Sequence, residues 1–278
     1  MAKFNKIGVF YINANPSVSW VSSIINEMSQ IVNLVENPSA TANISAIVPI
    51  GGDGTALRCI AKYAHLNIPF YGINQGTIGF FMNKNKPIQE AIKCIKDATK
   101  INIPAFECKI LHNIDQTLNK PTSQQTDSLT SFFVNDVNIF RSTGQSADLS
   151  ITTVMKNGEN THNNNVICDG VIAFSSIGST GYNKSLGGNV VPLASKNISI
   201  RVIATQNQNI ETCKEKWLTS VDSVVIENFK TKNRPCNCAI DGQTIFNVHK
   251  ISIDSKKQKT VTLLLDDVNL RAKMYTKT

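Results

Sequence analysis

The sequence predicts an α/β domain built on a parallel sheet, followed by an all-β domain of sandwich-like type. Two patterns carry that division. Up to about residue 100, apolar runs alternate with amphipathic helical stretches, as in a parallel sheet covered by helices on both faces. After Pro104 the helical period disappears and short strand-like runs follow one another. Several are separated by turn dipeptides such as Asn157-Gly158 and Asp241-Gly242. The first domain is expected over 1–103 and the second over 104–256, with 257–278 returning to complete the first.

Lys6 to Asn13 is expected as the first strand. A helix then starts at Asn15-Pro16 and carries Val18, Val21, Met28 and Val35 at helical spacing, ending at Asn37-Pro38-Ser39. Ile44 to Ile50 is apolar enough for a buried parallel strand. It runs into Gly51-Gly-Asp-Gly-Thr55 and a helix with Ala56, Leu57, Ile60, Ala61 and Ala64 on one face. Pro69 to Ile73 is the next strand, and Asn74-Gln-Gly-Thr-Ile-Gly-Phe-Phe81 a second glycine loop. The helix expected over Ile88 to Ala98 turns Ile88, Ala91, Ile92, Ile95 and Lys96 to one side. The all-β half reads as runs at Phe106–Ile114, Leu129–Phe140, Leu149–Lys156, Val166–Ser175, Ile198–Ala204, Ser223–Phe229, Cys236–Ile240 and Ile245–Ile253. Asn119–Ser128 and Thr161–Asn165 read as polar connections, Val261–Leu265 as a last apolar run, and Met274–Thr278 as a frayed end.

Composition narrows the class. The 278 residues are 41% hydrophobic with mean hydropathy −0.10, and no run of about 18 apolar residues occurs, so a soluble protein without a membrane span is expected. The opening Met1-Ala-Lys-Phe-Asn-Lys6 does not read as a signal peptide. Seven cysteines fit no disulfide framework, which points to a reducing cytoplasmic setting. Cys236 and Cys238 would share one strand face, but no second Cys or His pair lies nearby, so zinc is not expected. The net charge of +8 suits anionic nucleotides as well as it suits nucleic acid. The basic residues are dispersed apart from Lys256-Lys257-Gln258-Lys259, and no nucleic-acid-binding signature is present.

The chemistry concentrates in loops. A strand, a glycine turn and a helix N-terminus make an anion-friendly corner, because backbone approaches closely and free N–H groups point outward. Asp53 is the anomaly, since a carboxylate repels phosphate unless it has a task. It could hold Mg²⁺ or take a proton from an attacking hydroxyl; alternatively Asp53 or Thr55 simply caps the helix. Both glycine loops fall at the carboxyl edge of the parallel sheet, where ligands sit in such folds. In the all-β half, Asp169 to Gly188 breaks the strand rhythm with small donors at Ser176, Ser179, Thr180 and Ser185 and a ring at Tyr182. This surface suits a nucleotide, or is an exposed Gly/Ser loop. Asn135 and Asp136 offer polar groups that a plain strand would send to opposite faces. Asp241-Gly242-Gln243 reads most simply as a hairpin turn.

Taken together, these motifs resemble the NAD kinase family. Gly51-Gly-Asp-Gly-Thr55, Gly72 to Phe80, Asn135-Asp136, Asp169-Gly170, Gly178-Ser-Thr-Gly-Tyr182 and Gly187-Gly188 occur in the family's order and at similar spacing, over roughly residues 6 to 190. The resemblance implies a Rossmann-like α/β N-terminal domain, a β-rich domain that binds NAD, and a homo-oligomer, commonly a tetramer. It implies phosphorylation of the 2′-hydroxyl of the adenosine ribose of NAD by ATP, or by polyphosphate, with a divalent metal, Mg²⁺ in the first instance. By the same resemblance Asp53 is the general base. Gly54 keeps the backbone close to the ligand, Arg58 in the first helical turn meets a phosphate, and Phe80 packs on an adenine. Asn135 and Asp136 grip an adenosine moiety, and Asp169 the nicotinamide end. Thr180, Gly181, Tyr182 and Ser185 hold adenine and ribose, and Gln243 adds a further contact. The chain departs from the family at Ile177, at Gly181 in place of alanine, at Asn189 in place of proline and at Ile167 in place of a basic residue. Two rivals share parts of the pattern: a diacylglycerol- or sphingosine-type lipid kinase, which has the first glycine motif, and a dinucleotide sensor without catalysis.

Overall fold

The computed structural model describes residues 6–10, 19–36, 38, 43–76, 79–113, 126–191, 195–205 and 218–266. The chain divides into two compact units, Met1–Ile103 with Thr260–Thr278, and Pro104–Lys259.

The first unit carries a five-stranded, all-parallel sheet in the order β2-β1-β3-β4-β5. The strands are β1 (Lys6–Phe10), β2 (Asn33–Glu36), β3 (Ala46–Gly51), β4 (Gly72–Asn74) and β5 (Met82–Asn83), with helices α1 (Ser19–Ser29), α2 (Asp53–Tyr63) and α3 (Ile88–Asp97). Strand alternation explains the two-sided burial of β3. Ala46, Val48 and Ile50 join a core with Met28 of α1 and Ala91, Ile92 and Ile95 of α3, while Ile47 is buried on the opposite side. α2 buries Ala56, Leu57, Cys59, Ile60 and Tyr63 but leaves Ala61 exposed, and Lys96 of α3 is exposed as well.

The helix expected to run to Val35 stops six residues earlier, at Ser29. The Met28 carbonyl accepts the N–H of both Ile31 and Val32, and Asn33–Glu36 then pairs parallel with β1. The apolar pattern over 31–35 fits either period. Pairing to an open sheet edge satisfies the backbone that further helix would have kept internal. The expected helix start at Asn15-Pro16 and the end of the first strand lie outside the described residues.

The remaining strands among the described residues form an antiparallel ten-stranded sheet, ordered β10-β9-β13-β12-β11-β8-β14-β15-β6-β7, with β13 also pairing to β15 so that the sheet folds over its own core. Its strands are β6 (Thr99–Asn113), β7 (Thr126–Phe133), β8 (Asp136–Arg141), β9 (Ala147–Met155), β10 (Asn160–Cys168), β11 (Gly170–Phe174), β12 (Ile198–Ile203), β13 (Leu218–Glu227), β14 (Cys236–Ile240) and β15 (Gln243–Leu265). Phe106, Phe133, Ile139, Leu149, Ile226 and Ile251 are among the buried side chains of the second unit's core.

Strands β6, β7 and β13 begin earlier than expected, at Thr99, Thr126 and Leu218, and four segments change character. The run 129–140 is two strands broken at Val134-Asn135, and 166–175 is two strands broken at Asp169. Thr161–Asn165 is not a connection; it lies inside β10, with a bulge between Asn163 and Val166 and Asn165 at φ +54°. Its polarity reflects an outward face, on which Thr152 pairs with His162 across the strands, while Thr153, buried on the other face, pairs with Thr161. The runs 245–253 and 261–265 are one strand, β15. Of the loop expected over 119–128, residues 126–128 instead open β7, where Thr126 pairs with Asn113; residues 119–125 and the expected frayed end 274–278 lie outside the described residues.

Cys59, Cys108, Cys168, Cys236 and Cys238 are buried, Cys94 partly so, and all six are free thiols. Burial pushes the Cys108 thiol up to about 12 and that of Cys236 up to about 11, and raises Cys59 and Cys238 as well. No helix among the described residues is long and apolar enough to cross a membrane.

Candidate active site

In the first unit the site grows from the end of β3. Gly51 has φ +152°, and a Cβ there would sit 2.5 Å from Thr55 Oγ1. Gly52 caps α2 through its backbone alone, so neither Asp53 nor Thr55 is the cap. Asp53 is instead the first helical residue, and its carboxylate reaches across to the second glycine loop. Oδ2 accepts the Phe80 N–H and Oδ1 the Phe81 N–H, both at 2.8 Å. The Gln75 N–H donates to the Gly51 carbonyl at 2.8 Å, a second tie between the loops. Asn74 spans its own turn by bonding both the N–H and the carbonyl of Gly76, and a Cβ on Gly79 would lie 2.7 Å from that side chain.

Gly54 is exposed, and Arg58 Nη1 lies 3.6 Å from the position of a Gly54 Cβ. The guanidinium is therefore folded back toward the start of α2, with its Nε buried and without a hydrogen-bond partner. Arg58 stands in the second turn of α2 rather than the first. Phe80 is half-buried, its ring edge-on to Phe81 with centroids 5.7 Å apart.

In the second unit Asn135 and Asp136 do not diverge as they would on a plain strand. Asn135 sits in the break between β7 and β8, and its Nδ2 donates to Asp136 Oδ2 at 2.8 Å. Asp136 is 7% exposed, and burial, then repulsion from Asp241, pushes its carboxyl up to about 7. Asp241 was expected only as part of a turn, and sequence reasoning missed its carboxylate. Burial raises that carboxyl to about 6, against the pull of hydrogen bonds from the N–H groups of Val134, Asn135 and Asp136.

A cavity of about 440 Å³ is lined by Asn138, Phe140, Arg141, Asp169, Tyr182 and Ile203, among others. Asp169 is paired there with Arg141, Nε to Oδ1 at 2.7 Å and Nη2 to Oδ2 at 3.5 Å. The basic neighbour that Ile167 does not supply thus comes from β8. Asn138 Oδ1 is buried in the protein without a partner.

The segment after β11 spends most of its expected donors on itself. Ser176 and Ser179 are fully buried; Ser179 Oγ donates to the Ser176 carbonyl and accepts the Val191 N–H. Thr180 Oγ1 donates to the Ile177 carbonyl at 2.9 Å. Asn183, on the short helix α4 (Tyr182–Ser185), donates to the carbonyls of Ser179 and Asn189, so the departure at Asn189 is held through its backbone carbonyl. A Cβ on Gly181 would meet the Gly178 carbonyl at 3.4 Å and the Asn135 amide at 3.6 Å, both van der Waals contacts, so an alanine would fit. Tyr182 is 45% exposed and Ser185 is exposed. Ser185 and Gln243 do not line the cavity, and Gln243 is an exposed residue opposite Ile240 at the start of β15. Among the described residues no three His, Cys, Asp or Glu side chains cluster as a metal cage.

Residues 12–103 match the family model of the ATP-NAD kinase N-terminal domain. The NAD kinase of Rickettsia prowazekii (strain Madrid E) is 32% identical over 268 residues, covering 94% of this chain and 92% of that protein. The NAD kinase of Rickettsia canadensis (strain McKiel) is 32% identical over 266 residues with the same coverage. Among solved structures, an NAD kinase from Archaeoglobus fulgidus in complex with ATP superposes with a TM-score of 0.65 at 20% identity, over 96% of each chain. Yeast NADH kinase complexed with NADH gives 0.72 at 16% identity, over 97% of this chain and 86% of that one. Both share the fold. Sequence identity that runs through both units makes this chain a phosphotransferase of the NAD kinase family.

Proposed function

We propose that the chain transfers the γ-phosphoryl group of ATP to the 2′-hydroxyl of the adenosine ribose of NAD, with Asp53 as general base. The observation that carries this reading is the Asp53 carboxylate held by the N–H groups of Phe80 and Phe81. A carboxylate fixed from two directions at a helix start is oriented, and each oxygen keeps a lone pair for the hydroxyl proton. The same corner supplies backbone N–H groups for phosphate oxygens, and phosphoryl transfer needs mainly such positioning and charge stabilisation. Arg58 is assigned to a phosphate, its Nε lacking a protein partner. Gly54 keeps that approach open, and Phe80 offers a ring for adenine.

The second unit is assigned to the dinucleotide, with Asn135 and Asp136 on an adenosine, Asp169 toward the nicotinamide, and Thr180, Gly181, Tyr182 and Ser185 on adenine and ribose. Thr180 contributes through its backbone more than its hydroxyl, which is already engaged. Gln243 is the outlying member of the set. Mg²⁺ bound by one or two carboxylates together with substrate phosphates fits this corner, where Asp53 is the carboxylate that would hold it. When bound, such an ion neutralises charge on the transferring phosphoryl group. The protein is proposed to act as a cytoplasmic homo-oligomer, without nucleic acid or membrane as partner, and polyphosphate is a second candidate donor.

The test is direct. Purified protein with NAD, ATP and Mg²⁺ should yield NADP, read by coupling to an NADP-specific dehydrogenase, and Asp53→Asn should stop it. Absence of NADP with folded protein and with ATP or polyphosphate as donor refutes the activity. A kcat for Asp53→Asn within threefold of native refutes the base.

A further inference from the structure

The break between β7 and β8 is held by one side chain from a distant hairpin. Three successive backbone N–H groups converge on the Asp241 carboxylate: Val134 on Oδ2 at 2.9 Å, and Asn135 and Asp136 on Oδ1 at 2.9 and 3.1 Å. Consecutive N–H groups aimed at one point form a nest, a concavity made for an anion. Here the chain fills its own nest. The Asp241 N–H donates in return to the Asp136 carbonyl at 2.9 Å. The opposite, carbonyl side of the break is gripped as well. The Asn135 carbonyl accepts the Ser175 N–H at 3.0 Å, the Val134 carbonyl accepts Ser175 Oγ, and Gly178 lies so close that a Cβ would fall 2.1 Å from the Asn135 oxygen.

The geometry points to Asp241 as a positioning residue for dinucleotide binding, one that sets Asn135 and Asp136 in their paired orientation through the backbone without touching substrate. This rests on the assignment of Asn135 and Asp136 to the dinucleotide. A hairpin alone does not call for a carboxylate here. Asp241 and Gly242 have φ +46° and +82°, the left-handed pair of a two-residue turn, and Asn-Gly serves that turn equally well without charge. Burying a second carboxylate beside Asp136 is unfavourable, and the return is three charge-assisted N–H bonds. An asparagine has one acceptor oxygen and would point its NH₂ at a backbone donor, so it cannot reproduce the set. Among the described residues the titratable groups facing this site are Asp136 of β8, Asp241 of the turn, and the Cys238 thiol of β14. Residues 170–181, which pack from β11 and the turn after it, contain none.

The experiment measures NAD binding by titration calorimetry and the steady-state constants for NAD and ATP in native protein, Asp241→Asn and Gly242→Ala, between pH 5.5 and 8.5. Asp241→Asn should raise Kd and KM for NAD about tenfold or more, leaving kcat within about threefold and KM for ATP within about twofold. It also removes the charge beside Asp136, so the pH at which NAD affinity changes should move down. That displacement reports Asp136 at the NAD site, and a merely structural role of Asp241 would instead worsen kcat and the ATP constant along with the NAD constants. Gly242→Ala leaves the carboxylate intact and its Cβ meets nothing within 4 Å, but it strains the turn. It should raise KM for NAD several-fold with kcat kept, and serves if Asp241→Asn does not fold. NAD constants and a pH profile unchanged in the folded variants, or kcat and both KM values worsening together, overturn the role of Asp241. Native protein that binds no NAD overturns the site assignment instead, so the two failures are separable.

Discussion

Asp53→Asn isolates chemistry from scaffold, because the two losses have different sizes and appear in different assays. The native carboxylate uses both oxygens, one on Phe80 N–H and one on Phe81 N–H. Asparagine keeps one acceptor and turns an NH₂ toward the other donor, leaving one partly buried N–H unsatisfied. That is worth about 1–3 kcal/mol of stability, toward the lower end because Asp53 is only half-buried. For a protein of this size the thermal midpoint should fall by a few degrees, at roughly 2–4 °C per kcal/mol. The loss of a general base is larger, about 10²–10⁴ in rate. Removing negative charge from a phosphate corner has the opposite sign for binding, so KM for ATP should stay level or fall while kcat collapses. Initial rates of NADP formation at saturating NAD and ATP, beside calorimetric NAD binding and a melting curve, separate these effects. A kcat within threefold of native, in a variant whose midpoint shows the expected fall, would refute proton removal by Asp53. A fall in kcat matched by a lost NAD affinity would show the carboxylate to be a scaffold group only.

Three further outcomes follow from the same contacts. Asp136 is pushed up to about 7 in the fold, against about 3.8 unfolded, so its protonation stabilises the folded state fully below the unfolded value. That contribution is lost as pH rises through about 7, and the native melting temperature should fall from pH 5 to 8 more steeply than that of Asp136→Asn; equal slopes would contradict the assignment. Gly178→Ala puts a Cβ 2.1 Å from a backbone oxygen and should destabilise by about 1–3 kcal/mol or more, read by urea denaturation, whereas Gly144→Ala, with nothing within 4 Å, should not. Lys86 and Asp266 pair at 2.8 Å with only 18% and 11% of their side chains exposed, and Tyr71 donates to the same carboxylate. Lys86→Met should lower stability by about 2–4 kcal/mol, less than a fully buried pair, and an unchanged midpoint would show the pair to be inert.

The parallel sheet, the two glycine loops and the shift to strands after Pro104 were legible because each rests on local chemistry: apolar runs, glycine spacing and turn dipeptides. The misread segments are those where tertiary contact chooses between equal local options. Residues 31–35 fit helix or strand, and an open edge beside β1 decided. Thr161–Asn165 looked like a loop because polarity was read as exposure on all sides, whereas one face of β10 is wet. Asp53 stood out as a misplaced charge, yet its partners lie 27 and 28 residues away and carry no side-chain signal. Asp241 is the sharper case: its partners lie more than 100 residues away and are backbone groups, so nothing in a turn of Asp and Gly announces them. The serine-rich stretch misled in the other direction, since Ser176 is buried and the hydroxyls at 179 and 180 close the segment on itself.

The buried thiols have a practical use of their own. Cys59 belongs to the first unit, and Cys108, Cys168, Cys236 and Cys238 to the second; all are shielded from a water-borne reagent in the native state. A thiol that reacts only when its surroundings open is a clock for that opening. Pulsed alkylation followed by peptide mass analysis would therefore time the breathing of each unit from unmodified protein, with no engineered probe. It would also show whether bound nucleotide slows one unit, the other or both.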